Sequence, residues 1–539
     1  MNIIYAEFPR DSSIGSRMLR INDPNIIENY LTDESRIVKG NAVELVLPRC
    51  EKEISEILRE ANDKRVHVTI SGAGTGITGS RVPIDGIILS TEELTQVEIK
   101  PSKNEKLLQR TEYGKTYAII IGKDHDGYYA IAPPGIPLIV FKRMVESENL
   151  YYPPDPTEMS AFLGGTIATN ASGARTFYYG STRNYVRRLR IVLPNGDVLN
   201  VKRGQIFAND RVFIIVLTNG KKIEVQVPGY TMPDVKKNSA GYYVKSGMDL
   251  IDLFIGSEGT LGVISEVEVK LIEKPKIIIP IFAHFRNESD AINFVKRLRN
   301  LSRSEGLRVL SIEFFDSYSV EFLRRKYPPP KIPEGSKSII DFELEVLSDG
   351  ESEMVLERVM RVLEECNFLN AFVLSEDEAK EIRHALPEGV NDFIRSHGTH
   401  KVATDIAVPE DKFDVMFEWY HRVGEQTGIR YVIFGHIGDN HLHFNFLPAD
   451  VKELKKAMEA IVLLLRKAVE LGGTVTAEHG VGKKYYISDG KRKPLLELMY
   501  GEEGVFQAAR LKHAMDPNHI LNIGNMVPTE YLDKINGCN

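Results

Sequence analysis

The alternation of apolar and polar positions is sharpest over residues 430–447, RYVIFGHIGDNHLHFNFL. YVIF is a short β-branched and aromatic run, GHIGDN carries turn formers, and HLHFNFL alternates, so the stretch predicts two strands joined by a turn. A period of two puts His441, His443 and Asn445 on one strand face and Leu442, Phe444 and Phe446 on the other. Burial explains the apolar face. Two imidazoles and an amide, with His436 waiting at the turn, ask for chemistry instead. Imidazole clusters are common divalent-metal sites and a carboxylate usually completes them; Glu478, beside His479 in VTAEHGVGKK, is the nearest candidate.

Elsewhere the pattern changes along the chain. VELVLP reads as a strand, Ile54, Ile57, Leu58 and Ala61 mark one helix face, and VHVTIS is a second strand. The glycines that follow, Gly74, Gly76 and Gly79, match G-x-G-x-x-G, with Glu93 about where a dinucleotide-binding acid would lie. That motif must open a crossover helix of roughly 10–12 residues, and only SRVPID separates Gly79 from the next strand, GIILS. A phosphate-cradling loop between strands is predicted, with a plain glycine turn as the alternative. YGKT at 113–116 lacks the upstream glycine of a P-loop and is set aside. Small and polar residues crowd Gly164 to Gly173, too poor in large apolar side chains for core and suited to wrapping a cofactor. Strand pairs follow, one with an Asn-Gly turn. Asn238 and Glu258 sit in glycine-rich settings, as capping side chains or as cofactor contacts.

From residue 276 strands and helices alternate (KIIIPIFAHF, AINFVKRLRNL, VLSIEFFD, YSVEFLRRK, SIIDFELEV, MVLERVMRVLEE). That order suits an antiparallel sheet with helices on one face, ferredoxin-like in character. An amphipathic helix, VKELKKAMEAIVLLLRKAVEL, precedes the AEHG stretch, and a last helix stops before Pro517. The predicted division is a polar, mixed leader 1–40, helical and packed on the body, a cofactor domain 41–275, a substrate domain 276–448, a segment 449–526 returning to the site, and a tail 527–539.

Composition adds mainly exclusions. A chain of 539 residues allows two or three domains, and its net charge of −7 is spread, with no basic run for nucleic acid. Cys50, Cys366 and Cys538 form no CxxC, which argues against an iron–sulfur cluster or a disulfide framework. No stretch nears the roughly 20 apolar residues of a membrane span, and the first residues lack the features of a signal peptide. A cytoplasmic protein is expected, membrane-associated only through a partner.

Seven motifs in order then carry a resemblance: SGAGTGITGSRVP, PPDPTEMSAFLGGTIATNASGARTFYYGSTRNYV, KNSAGYY, LFIGSEGTLGVI, GHIGDNHLH, AEHGVG and DPNHILNIGN. Over about residues 40–526 the chain resembles the FAD-linked D-2-hydroxy-acid dehydrogenases. These are of the glycolate oxidase subunit, D-lactate dehydrogenase and D-2-hydroxyglutarate dehydrogenase type, in the vanillyl-alcohol oxidase-like superfamily. The resemblance implies an α+β fold, with a two-lobed PCMH-type FAD domain, a ferredoxin-like substrate domain and a C-terminal helical segment returning to the flavin.

By the same resemblance Gly72, Ala73, Gly74, Thr75, Gly76 and Thr78 bind the FAD pyrophosphate. Asp155, Pro156, Thr157, Gly165, Thr169, Ala171, Ser172 and Gly173 line the cofactor, with Glu258, Gly262 and Ile264. The first loop offers no histidine, so non-covalent FAD is expected. Arg383 holds the substrate carboxylate with Lys401 helping, Asn445 and Glu478 contact substrate, and His479 is the base. His436, His443 and Glu478 hold a divalent metal: zinc, or manganese or iron. Asn440 and His441 stand where the family pattern has Gly and Asn, so His441 is either a third imidazole at the metal or a core or surface histidine. NIGN replaces the common NPGK, leaving Asn522 to reach the flavin. The substrate implied is a small D-2-hydroxy acid. The electron acceptor implied is external: an electron-transferring flavoprotein, a quinone, a cytochrome or an iron–sulfur partner. Competing readings are an alkyl-glycerone-phosphate-synthase-like transferase and a non-catalytic flavin carrier.

Overall fold

The computed structural model describes residues 2–11, 18–35, 38–488 and 490–537; Cys538 lies outside them. The first lobe is a four-stranded sheet in the order Leu19–Ile21, Glu44–Leu47, Ile87–Ser90, Val68–Ser71, whose last three strands are parallel. Helix Glu51–Lys64 covers it, burying Ile54, Ile57, Leu58 and Ala61, the face its periodicity predicts. Between Val68–Ser71 and Ile87–Ser90 the chain forms turns and bends rather than a crossover helix, so the G-x-G-x-x-G match is no dinucleotide fold.

The second lobe is antiparallel, in the order Val198–Lys202, Val186–Val192, Val263–Glu273, Gly127–Ala132, Lys115–Asp124, Glu105–Glu112. The leader is not helical as a whole. Ile3–Tyr5 pairs in parallel with Val212–Val216, Leu19–Ile21 adds an edge to the first lobe, and Pro24–Ile27 is a single helical turn.

The third sheet runs Phe368–Val373, Ile277–Phe285, Ser338–Val346, Val309–Phe315, Tyr431–Gly435, His441–Phe446, Val402–Ala403, with its pairings antiparallel. It is covered on both faces rather than one. Ile281, Ile340 and Phe314 pack with helices Glu288–Ser304 and Asp349–Glu365. Their alternating neighbours Phe282, Ile339 and Phe315 pack with Ser317–Lys326 and Glu376–Ser396. Apolar residues point to both sides of these strands because both sides are roofed, and the polar Asp341 and Glu343 are buried among them.

The chain then returns to the first lobe. Helix Leu495–Met515, kinked at Gly501, ends before Pro517, and the Val68 amide donates to the Ile520 carbonyl at 2.6 Å. Lys512, buried, ties the return together by donating to the Leu521 and Thr260 carbonyls at 2.8 and 2.7 Å. Among the described residues no helix is long and apolar enough to cross a membrane.

Candidate active site at the junction of a cofactor cavity and an imidazole cluster

Between the two lobes lies a cavity of about 460 Å³. Gly72, Ala73, Gly74, Thr75, Gly76, Pro156, Thr157, Gly165, Thr169, Ala171, Ser172, Glu258, Gly262, Ile264 and Asn522 are on its wall, with Glu478 and His479 at one end. At Gly72, Gly76 and Gly165 an added Cβ would meet open space, so bare backbone faces the cavity there. That is the surface a pyrophosphate needs, because peptide N–H groups reach an anion only where no side chain intervenes. The residues present therefore fit FAD.

Three expected lining residues stand behind the wall instead. Thr78, buried, bonds Ser80 Oγ at 2.6 Å and takes the Lys483 amide on its carbonyl at 2.8 Å. Asp155 is paired with Lys142 at 2.7 Å; burial opposes its charge, yet Lys142 and Arg175 hold its carboxyl well below the usual range. Gly173 is pressed against the Asp155 backbone. Ser80, Arg81 and Ser257, which motif reading passed over, are on the wall.

At the end marked by Glu478 the imidazoles converge. Strand Tyr431–Gly435, a 3-10 turn at Ile437–Asp439 and strand His441–Phe446 form the hairpin that alternation predicts. Asn440, in place of the usual glycine, takes the left-handed conformation at φ +55°, one of the few residues that does so readily; Arg299 donates to its Oδ1 at 2.6 Å. Bridges Asp405↔Thr476 and Ala407↔Thr474 draw the AEHG loop against the same hairpin.

Glu478 then meets a ring of polar side chains. Its Oε1 is 3.4 Å from His436 Nε2, 3.3 Å from His443 Nε2 and 3.5 Å from His479 Nε2. Its Oε2 is 3.2 Å from Lys237 Nζ, a fully buried ammonium that also lies 3.7 Å from Asp439. Burial alone would raise this carboxyl; Lys237, His436 and His441 hold it well below its usual value. One ligand atom each from His436, His441, His443 and Glu478 falls within 4.8 Å of the others. A divalent cation fits this donor set.

Two neighbours set the protonation of the cluster. His436 is buried, which works against its charge, but Glu313 at 2.8 Å and Glu478 push it up to about 9. Burial dominates at His479, lowering it to about 4 although Asp405 and Glu478 oppose this. His479 is therefore a neutral imidazole at ordinary pH, with one ring nitrogen open to a proton but a weaker base than a free histidine. Asp405 accepts the His479 amide at 2.9 Å and the Thr476 hydroxyl at 2.6 Å, fixing the loop.

The remaining expected residues are farther from a shared focus. Arg383, on helix Glu376–Ser396, is engaged by Asp341 at 3.3 Å and Glu343 at 3.0 Å, and Glu343 also holds Arg175 at 2.7 Å. Asp341 pairs across strands with Glu313, the partner of His436, so Arg383 belongs to the same polar network. Asn445 is buried and donates to its own neighbour's carbonyl, that of His443, at 3.1 Å. Lys401 is exposed just before Val402–Ala403. Asn238 accepts from Thr474 Oγ1 at 2.7 Å, a pin for the loop rather than a wall residue. Lys237, Asp405 and Glu313 were not singled out by sequence reading. Lys237 adjoins Asn238 in KNSAGYY, the one signal that pointed near it.

Known proteins share this organisation. The pattern described as FAD binding domain matches residues 44–202, and that described as FAD linked oxidases, C-terminal domain, matches 274–526. The chain is 30% identical over 491 residues to glycolate oxidase subunit GlcD of Bacillus subtilis, covering 89% of this chain and 88% of that one. It is 28% identical to D-lactate dehydrogenase of Anaerostipes hadrus, over 93% of each. It is 25% identical to D-2-hydroxyglutarate dehydrogenase of Xanthomonas citri, over 94% of each. A solved structure of alkyldihydroxyacetonephosphate synthase has the same fold, with a TM-score of 0.63, 16% identity, and coverage of 93% of this chain and 82% of that one.

Proposed function

The chain belongs to the FAD-linked oxidases, and on that footing we propose that it oxidises a small D-2-hydroxy acid of the lactate, glycolate or 2-hydroxyglutarate type to the 2-oxo acid. The observation that carries this is the placement of Glu478 and His479, which belong at once to the cofactor cavity wall and to the imidazole cluster. Relatives named for three 2-hydroxy acids match this chain over 88–94% of each sequence.

Bound FAD would supply the two-electron acceptor, and a divalent cation, zinc or another metal that imidazole suits, would be held by His436, His443 and Glu478 and make the substrate hydroxyl more acidic. The chain's own residues supply the rest. His479, neutral and beside Glu478, takes the hydroxyl proton on its Nε2 while Asp405, 3.3 Å from its Nδ1, fixes the ring. Arg383 offers a guanidinium to the substrate carboxylate, which must compete with Asp341 and Glu343 for it. Electrons leave to an external acceptor, an electron-transferring flavoprotein, quinone, cytochrome or iron–sulfur partner.

Anaerobic mixing of the flavin-loaded protein with D-lactate, glycolate, D-2-hydroxyglutarate and the L-enantiomers tests this directly. Bleaching of the flavin by one D-acid, abolished by chelator and restored by a divalent metal, is the expected result. A yellow protein that none of these acids reduces would overturn the reading.

A further inference from the structure

We propose that His441 is a metal ligand in this chain, so that the centre holds three imidazoles and one carboxylate, and that Asp405 is the residue that positions it. The proposal rests on the reading of the cluster as a metal site.

The three hairpin imidazoles are held alike. His436 turns Nδ1 outward to Glu313 at 2.8 Å and Nε2 inward to Glu478 at 3.4 Å. His443 turns Nδ1 to the Thr404 carbonyl at 3.4 Å and Nε2 to Glu478 at 3.3 Å. His441 repeats this with its nitrogens exchanged: Nε2 is 2.9 Å from Asp405 Oδ1, and Nδ1 faces Glu478 Oε2 at 3.9 Å. One nitrogen on an outer oxygen and the other on the centre is how ligating imidazoles are oriented.

A core histidine would be held otherwise. His441 has no exposed surface, and neither ring nitrogen completes a hydrogen bond, the approach to Asp405 being out of line. Buried polar groups find partners when the fold can supply them, and here the partner that both nitrogens await is consistent with a cation on one and a straightened Asp405 contact on the other. Its ring lies 4.5 Å from that of His443 and 5.3 Å from that of His436, inside the cluster rather than against Leu442, Phe444 and Phe446. Lys237 shares Glu478 Oε2, and Asp439, whose buried oxygens have no hydrogen-bond partner, is at hand to keep that ammonium when Glu478 serves a cation.

The test is cobalt and zinc binding by the flavin-loaded full-length protein, wild type against His441→Asn, His441→Gln, Asp405→Asn and His443→Asn. Metal content is measured after dialysis against graded chelator, and the visible absorption of bound Co(II) reports its ligands. Asparagine is the residue of the family pattern at this position, and retained flavin absorption confirms the fold of each variant. Both His441 variants should bind at least about 100-fold more weakly with a changed Co(II) spectrum, and Asp405→Asn about 10–100-fold more weakly. If the His441 variants match wild type in affinity and spectrum while His443→Asn does not, His441 is no ligand and the metal reading stands. If wild type itself takes up no metal, both fall.

Discussion

Two glutamates at the two ends of one loop show how differently the halves of this site are built. Glu478 opens the loop and Glu258 receives its far end, taking the Val481 and Gly482 amides at 2.6 and 2.7 Å. Glu258 is surrounded by backbone donors and the Ser80 hydroxyl, and burial raises its carboxyl above the usual value even against those bonds. Glu478 is surrounded by imidazoles and Lys237, which lower it. Small residues and peptide groups shape the flavin side, where an anion must approach. Charged side chains from distant elements shape the other side, where protons and a cation are handled. A change at Glu478 should therefore remove chemistry and spare the fold, and a change at Glu258 should do the reverse.

The largest expected effect tests the first half of that contrast. Glu478→Gln should lower divalent-metal affinity and turnover by more than the roughly 10–100-fold typical of residues one step removed from a metal, with flavin content and melting temperature near wild type. Loss of flavin together with metal would show that the two sides are not separable. Glu313→Gln, acting through His436, should fall within about 10–100-fold in metal affinity, read by chelator competition. On the flavin side, Glu258→Ala leaves two buried amides without an acceptor, each worth about 1–3 kcal/mol. The expected result is a lower denaturation midpoint and faster flavin loss in dilute solution, with metal content unchanged. Gly482→Ala strikes the same seam: φ is +52° and a Cβ there would overlap Thr78. The left-handed conformation alone costs a non-glycine residue about 1–2 kcal/mol, so unfolding should begin at lower denaturant with turnover per bound flavin intact.

The same contrast explains what the sequence disclosed. Local pattern sufficed for the hairpin, because a period of two sorted His441 and His443 from Phe444 and Phe446 and the turn residues marked its tip. It sufficed for the glycine loop, where SRVPID left no room for a helix. Motif order placed Glu478 and His479 beside the flavin cavity. Pattern failed where a residue's task depends on partners far along the chain. Lys237 and Asp405 lie 241 and 73 positions from Glu478, and nothing local distinguishes such a lysine or aspartate from a surface one. Thr78, Asp155 and Gly173 sit inside the right motifs, yet a motif does not say which of its residues face the cavity and which brace it from behind. The two-faced cover of the third sheet was hidden for a related reason. Strands such as SIIDFELEV carry polar residues, Asp341 and Glu343, that are buried only because Arg383 and Arg175 reach them from other elements.

The smallest effect is the sharpest test of the Glu258 environment. In the folded chain its carboxyl is raised, facing Lys483 as the nearby cation and the amides of Val481 and Gly482. A group raised on folding binds its proton more tightly in the native state. Its contribution is therefore complete below the unfolded value near 4.5 and is lost as pH rises through the folded value. Glu258→Gln keeps the shape and removes the titration. Urea denaturation of wild type and Glu258→Gln from pH 4 to pH 8 should show the variant gaining on wild type as pH rises, then running parallel to it. If the difference is flat across that range, the amide donors and Lys483 hold Glu258 at its ordinary value, and the two glutamates differ in their partners but not in their charge.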